Sequence, residues 1–97
     1  MSGDALGDLR QELDRVDRDL VDRFERRMEL SMRIAERKKG LGLPVRDEAR
    51  EALVLASRAA MLRDERWAGA VRQLYGLLMA LSREAQAEAL AKEGTEA

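Results

Sequence analysis

The sequence contains no cysteine and no histidine. The first absence excludes disulfide bonds and thiol chemistry, and the second removes the usual zinc sites and the commonest general base. Aromatic residues make up 3% of the chain, there is one proline, and no acidic loop has calcium-binding spacing. Few residues are β-branched, which disfavours strands, and no apolar run reaches the ~20 residues that span a membrane. These absences predict an all-α chain without a metal site, and we expect no cofactor.

Charge is abundant but balanced. The 97 residues include 18 Lys+Arg and 19 Asp+Glu, for a net charge of −1. This balance disfavours nucleic-acid binding driven by net charge. The length predicts one domain over 1–97, with order over about 5–91 and a polar tail at 92–97. Residues 1–7 are not basic and no apolar stretch follows them, so we predict no signal peptide and expect a cytoplasmic protein.

The N-terminal third carries a helical seam of apolar residues. They are spaced alternately three and four residues apart, and they are Leu6, Leu9, Leu13, Val16 and Leu20. This spacing is typical of a coiled coil, and Ser2 or Asp4 can cap the start. No Gly or Pro interrupts 8–39, which predicts a helix of roughly 32–35 residues, about 50 Å long. A compact monomer of this size has a radius of gyration near ~12–13 Å, so the seam would protrude. We therefore predict an intertwined homodimeric helical bundle.

Two further helices are predicted after a break. Two glycines and a proline within 40–44 end the first helix. The second helix is predicted at about 45–62. Asp64 then caps a third helix at about 65–91.

Each predicted helix carries polar residues on a face that is otherwise apolar. The first has Arg27 and Lys38, with Leu30, Ser31 and Ile34 between them; the second has Asp47, Arg50 and Glu51; the third has Ser82 and Gln86. Taken singly, such residues are usually solvated or form weak surface ion pairs. If the faces converge, they form a pocket for a small molecule with two carboxylates and a hydroxyl. Its chemistry would rely on positioning and electrostatics.

Five segments carry a resemblance to a known family. They are Leu9-Arg10 before a helix with Asp14 and Asp17, then ERRMEL at 25–30, Lys38 eleven residues after Arg27, PVRDEARE at 44–51, and the pair Ser82 and Gln86. In this order and spacing, the chain resembles the all-helical bacterial chorismate mutases over about residues 9–86. That family includes members fused to a prephenate-processing domain.

The resemblance implies an isomerase of aromatic amino acid biosynthesis. The reaction is the Claisen rearrangement of chorismate to prephenate, which needs no base, metal or covalent intermediate. The resemblance implies that Arg27, and Arg10 of a partner chain, bind the carboxylates of the substrate, and that Lys38 and Gln86 donate hydrogen bonds to its ether oxygen. It also implies that Glu51 and Asp47 contact the ring hydroxyl, and that Arg50 and Ser82 complete the pocket near the ring carboxylate. Lys38, Gln86, Arg27 and Glu51 are the implied catalytic residues.

One geometric point agrees with these roles. Arg10 and Arg27 lie 17 residues apart, which is about 260° around a helix at ~100° per residue. One straight helix cannot aim both side chains into one pocket. A dimer that supplies Arg10 from the partner chain removes the difficulty.

Alternatives remain open from the sequence. Isochorismate pyruvate-lyases, and mutases that act on 4-amino-4-deoxychorismate, also look similar to this chain. A dimeric helical interaction module without catalytic activity also fits the seam and the balanced charge. Some short chorismate mutases need a separate synthase partner, and the sequence leaves open whether this chain does. Feedback regulation and a role in primary or secondary metabolism are open in the same way.

Overall fold

The computed structural model describes residues 4–96, with side chains for 4–92, and the regular elements in that range are helical. Helix α1 spans Ala5–Gly40, α2 spans Glu48–Ala60 and α3 spans Ala68–Glu96, with a 3₁₀ turn at Glu65–Trp67. The predicted all-α chain with three helices and a very long first helix is confirmed. None of the described helices has the length and apolar character needed to cross a lipid bilayer.

The first of two compact units, Met1–Leu30, contains the N-terminal part of α1. Asp4 caps the helix, because its Oδ1 accepts the Gly7 N–H at 2.9 Å. Ser2, the alternative cap, lies outside the described residues. No residue of 4–30 is buried. The predicted seam is exposed throughout, with Leu6 at 56%, Leu9 at 61%, Leu13 at 57%, Val16 at 59% and Leu20 at 58%. The homodimer in which a second copy covers this seam stays a prediction.

The second compact unit, Ser31–Ala97, begins with the last turns of α1. That helix ends where Gly42 adopts a φ of +69°, a conformation that favours glycine. The Gly42 N–H donates to the Lys39 carbonyl at 3.1 Å, and the Leu43 N–H donates to the Lys38 carbonyl at 2.8 Å. These two bonds form a Schellman motif. The break predicted within 40–44 is therefore confirmed, and Lys38 lies in the last turn of α1 before it.

Helix α2 is shorter than the predicted span of 45–62, because a cap sets its beginning. Asp47 has an extended backbone, and its Oδ1 accepts the Arg50 N–H at 2.9 Å, so the helix starts at Glu48. The predicted cap at Asp64 is also present, because its Oδ1 accepts the main-chain N–H of Arg66 at 3.1 Å. The segment that Asp64 caps is the 3₁₀ turn, which leads into α3.

Helix α3 packs against α2 and carries part of a small core in the second unit. The buried residues described are Ala35, Val54, Met79, Ser82 and Gln86. The helix continues to Glu96 rather than ending near residue 91. Residues 85–93 are all strong helix formers, which favours its continuation past residue 91. Fraying of the predicted tail stays a prediction, and Ala97 lies outside the described residues.

Candidate functional site

Lys38 lies at the junction between α1 and the loop that follows it. Its side chain is half-buried, and its Nζ donates to the Val45 carbonyl at 2.9 Å. Its own carbonyl accepts the Leu43 N–H in the Schellman motif. The loop therefore holds this lysine through both its main chain and its side chain. Because an ammonium has three N–H donors, the bond to Val45 leaves capacity for two more toward an oxygen of a ligand.

Ser82 and Gln86 are buried polar residues on α3, each 6% exposed. The Gln86 Nε2 donates to the carbonyl of Ser31 at 2.8 Å and to its Oγ at 2.7 Å. Since a carbonyl only accepts, these contacts fix which end of the amide faces Ser31. The Ser82 hydroxyl donates to the Leu78 carbonyl at 2.9 Å. The site thus contains a neutral N–H donor whose orientation is set by α1.

Glu51 contributes a half-buried carboxylate from the first turn of α2. Its Oε2 lies 2.5 Å from Nη1 of Arg83 on α3. Its Oε1 lies 3.9 Å from Nε of Arg46, which is also 3.8 Å from Glu48. A carboxylate accepts about four hydrogen bonds, so Glu51 retains acceptor capacity beside these cations.

The remaining predicted residues near the start of α2 are Asp47, which caps the helix, and Arg50, and both are exposed. One carboxylate oxygen of Asp47 is used as the helix cap, through the Arg50 N–H. The second oxygen remains chemically able to accept a bond from a hydroxyl group. Among residues 4–96 no group of three or more His, Cys, Asp or Glu side chains is placed to hold a metal ion.

The two arginines predicted to bind carboxylates lie in the first compact unit. Arg10 is exposed on α1, and Arg27 is half-buried. The other six predicted residues all lie in the second unit, and they are Lys38, Asp47, Arg50, Glu51, Ser82 and Gln86. The structure thus places six of the eight predicted residues in one unit, and the roles of all eight stay predictions.

The side chains of Ser31 and Arg83 contact this set, and the sequence assigns neither of them a role. Ser31 is recognisable there only as a small residue on the stripe between Arg27 and Lys38. Arg83 directly follows Ser82 and precedes Gln86 by three positions, which is a weak signal for a place beside the polar pair. Its ion pair with Glu51 joins residues 32 positions apart, and local spacing does not encode such a pair.

Comparisons with known proteins identify the family of the chain. A family model described as chorismate mutase type II matches residues 9–87, a range that includes all eight predicted site residues. The T-protein of Haemophilus influenzae is 40% identical over 55 residues, which cover 57% of this chain and 15% of that relative's length. No solved structure matches the chain significantly. Because the family model covers most of the sequence, the chain belongs to the chorismate mutase type II family.

Proposed function

We propose that this chain is a chorismate mutase, an isomerase that converts chorismate to prephenate. One observation carries the proposal: the second unit places a tethered lysine, Lys38, and an oriented amide, Gln86, within the segment that matches the family. The aromatic amino acid pathway and a cytoplasmic location belong to the same proposal.

The reaction makes few demands on acid–base chemistry. A C–O bond of the enolpyruvyl ether breaks while a C–C bond forms within the same molecule, so no proton is transferred. Negative charge grows on the ether oxygen, and a preorganised donor there typically contributes ~2.7–4 kcal/mol. In the proposal Lys38 is that donor. Its bond to the Val45 carbonyl supports this role, because it restricts the ammonium before substrate arrives.

Gln86 is the second donor in the proposal. Its Nε2 contacts both the carbonyl and the hydroxyl of Ser31. Donation to the ether oxygen requires one of these contacts to be exchanged. The contact with the hydroxyl is the easier one to exchange, because a hydroxyl rotates and also donates. A neutral amide donates at every pH, so this step has no protonation requirement.

Arginines bind the two carboxylates of the substrate in the proposal, since a guanidinium fork matches a carboxylate. Arg27 acts within its own chain, and Arg10 enters the site of a second copy. The exposed seam of α1 supports the dimer, because five apolar side chains that are each more than half exposed favour association. Glu51 and Asp47 contact the ring hydroxyl.

Two further residues complete the proposed pocket. Arg50 and Ser82 lie near the ring carboxylate in the proposal. Their positions in the second unit, on α2 and α3, support this assignment.

The test is the loss of chorismate absorbance, with isochorismate and 4-amino-4-deoxychorismate run in parallel. We expect turnover of chorismate by the parent and its near-abolition in Lys38→Ala. Lys39→Ala is the matched control, because it removes the same charge from the neighbouring, exposed position. Turnover of isochorismate alone would indicate a lyase. Turnover of no substrate would leave a helical interaction module.

A further inference from the structure

The Glu51 carboxylate has two cationic neighbours, and one interacts with it much more strongly than the other. Arg83 makes a direct contact of 2.5 Å, and the side chains of Arg83 and Glu51 are 30% and 20% exposed. Arg46 is 3.9 Å away, beyond hydrogen-bond distance, is 57% exposed and is shared with Glu48. Partial burial reduces solvent screening of the first pair, whereas the second is largely screened. The charge of Glu51 is therefore balanced mainly by Arg83.

This balance affects which groups the carboxylate accepts. A hydroxyl that donates to Glu51 brings no net charge, so the nearby guanidinium does not oppose it. An ammonium at the same place would be attracted by Glu51 and repelled by Arg83 at similar range. The ion pair therefore removes most of the advantage that an isolated carboxylate gives to a cation.

We propose that Arg83 is a specificity-determining residue that makes the site select a ring hydroxyl over a ring ammonium. The selection is for chorismate over 4-amino-4-deoxychorismate, whose amine is protonated at neutral pH. This inference rests on the proposed function, in which Glu51 contacts the ring hydroxyl. Arg83 acts through Glu51 and is a positioning residue, with no contact to the substrate.

The test compares kcat/KM on the two substrates for the parent and for variants. Arg83→Met removes the charge and keeps much of the side-chain volume. We expect it to shift the ratio of kcat/KM values toward the amino substrate by about tenfold. Arg83→Lys keeps the charge and should keep most of the parent's preference. Arg72→Met is the matched control, since Arg72 is exposed on the same helix, about 16 Å along its axis from Arg83 at ~1.5 Å per residue, and should leave the ratio unchanged.

A second variant tests the same mechanism with the opposite sign. Glu51→Gln removes the negative charge and leaves Arg83 in place, so the ratio should move further toward chorismate even though both rates fall. If Arg83→Met does not fold, as judged by circular dichroism, Arg83→Gln replaces it, because that variant also removes the charge and keeps a polar side chain beside Glu51. Equal losses on both substrates, with the ratio unchanged in the folded variants, would overturn the inference and leave Arg83 a structural residue. Failure of the parent to convert chorismate would instead overturn the proposed function.

Discussion

Replacing Gln86 by glutamate exchanges one nitrogen for oxygen in a buried side chain. The amide nitrogen that is lost donates to the Ser31 carbonyl at 2.8 Å and to its hydroxyl at 2.7 Å. An ionised carboxylate would place an acceptor against that carbonyl in a position only 6% exposed. The protonated acid, in contrast, can still donate one hydrogen bond. Burial and the opposing carbonyl both disfavour the charged form, whereas the Lys38 ammonium of the proposed site favours it. We expect the first two effects to dominate, because the position is 6% exposed and faces the carbonyl directly, so the pKa of the introduced carboxyl should rise above its usual range.

The sign of the effect on stability follows from proton linkage. A carboxyl whose pKa is higher in the folded state stabilises the fold below its unfolded pKa of ~4.3. This stabilisation is lost as the pH rises through the folded pKa. Each unit of pKa difference corresponds to ~1.4 kcal/mol, so a rise of two units, modest for a buried carboxyl, removes about 2.7 kcal/mol from the free energy of unfolding.

Urea unfolding of Gln86→Glu between pH 4 and 8 measures this loss. Gln73→Glu is the matched control, because it makes the same chemical change at an exposed position of α3. We expect only the variant at the buried position to lose stability as the pH rises. Its kcat/KM on chorismate should increase as the pH falls below neutral, while that of the parent stays nearly flat. Parallel pH profiles of the free energy of unfolding for parent and variant would contradict the burial argument. Parallel pH profiles of kcat/KM would contradict donation by Gln86 to the ether oxygen.

Three further outcomes are expected. Lys38→Ala and Arg27→Ala should each lower kcat on chorismate by at least ~100-fold with an unchanged circular dichroism spectrum, and a kcat near that of the parent would rule out the assigned role. Gly42→Ala should lower the free energy of unfolding by ~1–2 kcal/mol in urea titrations, because a residue with a Cβ disfavours a φ of +69°; an unchanged value would show that the turn relaxes. Leu13→Asp in the exposed seam should shift the sedimenting species from dimer to monomer, and an intact dimer would exclude the seam as the interface.

Local signals predicted most of the helical architecture. Asp4 caps the helix expected of it, and Gly42 ends α1 in the expected loop. Asp64 is a cap as expected, but the segment it caps is the 3₁₀ turn before α3. These features are predictable because a cap or a positive φ acts on backbone groups only a few residues away. The predicted start of α2 is too early, because the Asp47 carboxylate caps the helix and the helix begins at Glu48.

The contacts that orient the site were not predictable in the same way. Gln86 contacts Ser31 across 55 positions, and Arg83 contacts Glu51 across 32. Such pairs depend on how the helices pack, and the helical periodicity of a single sequence gives only which residues share a face. The periodicity therefore identified the polar residues on each helix, but not the partners that fix their side chains.

The double attachment of Lys38 makes the loop and the lysine one cooperative unit. The carbonyl of Lys38 accepts the Leu43 N–H, and its ammonium donates to the Val45 carbonyl. Opening of the loop breaks both bonds together, so the orientation of the lysine and the protection of the Leu43 amide from hydrogen exchange change in the same event. Exchange at this single amide, followed by NMR, therefore reports how often the loop opens and releases the lysine. Any ligand that holds the ammonium should slow that exchange.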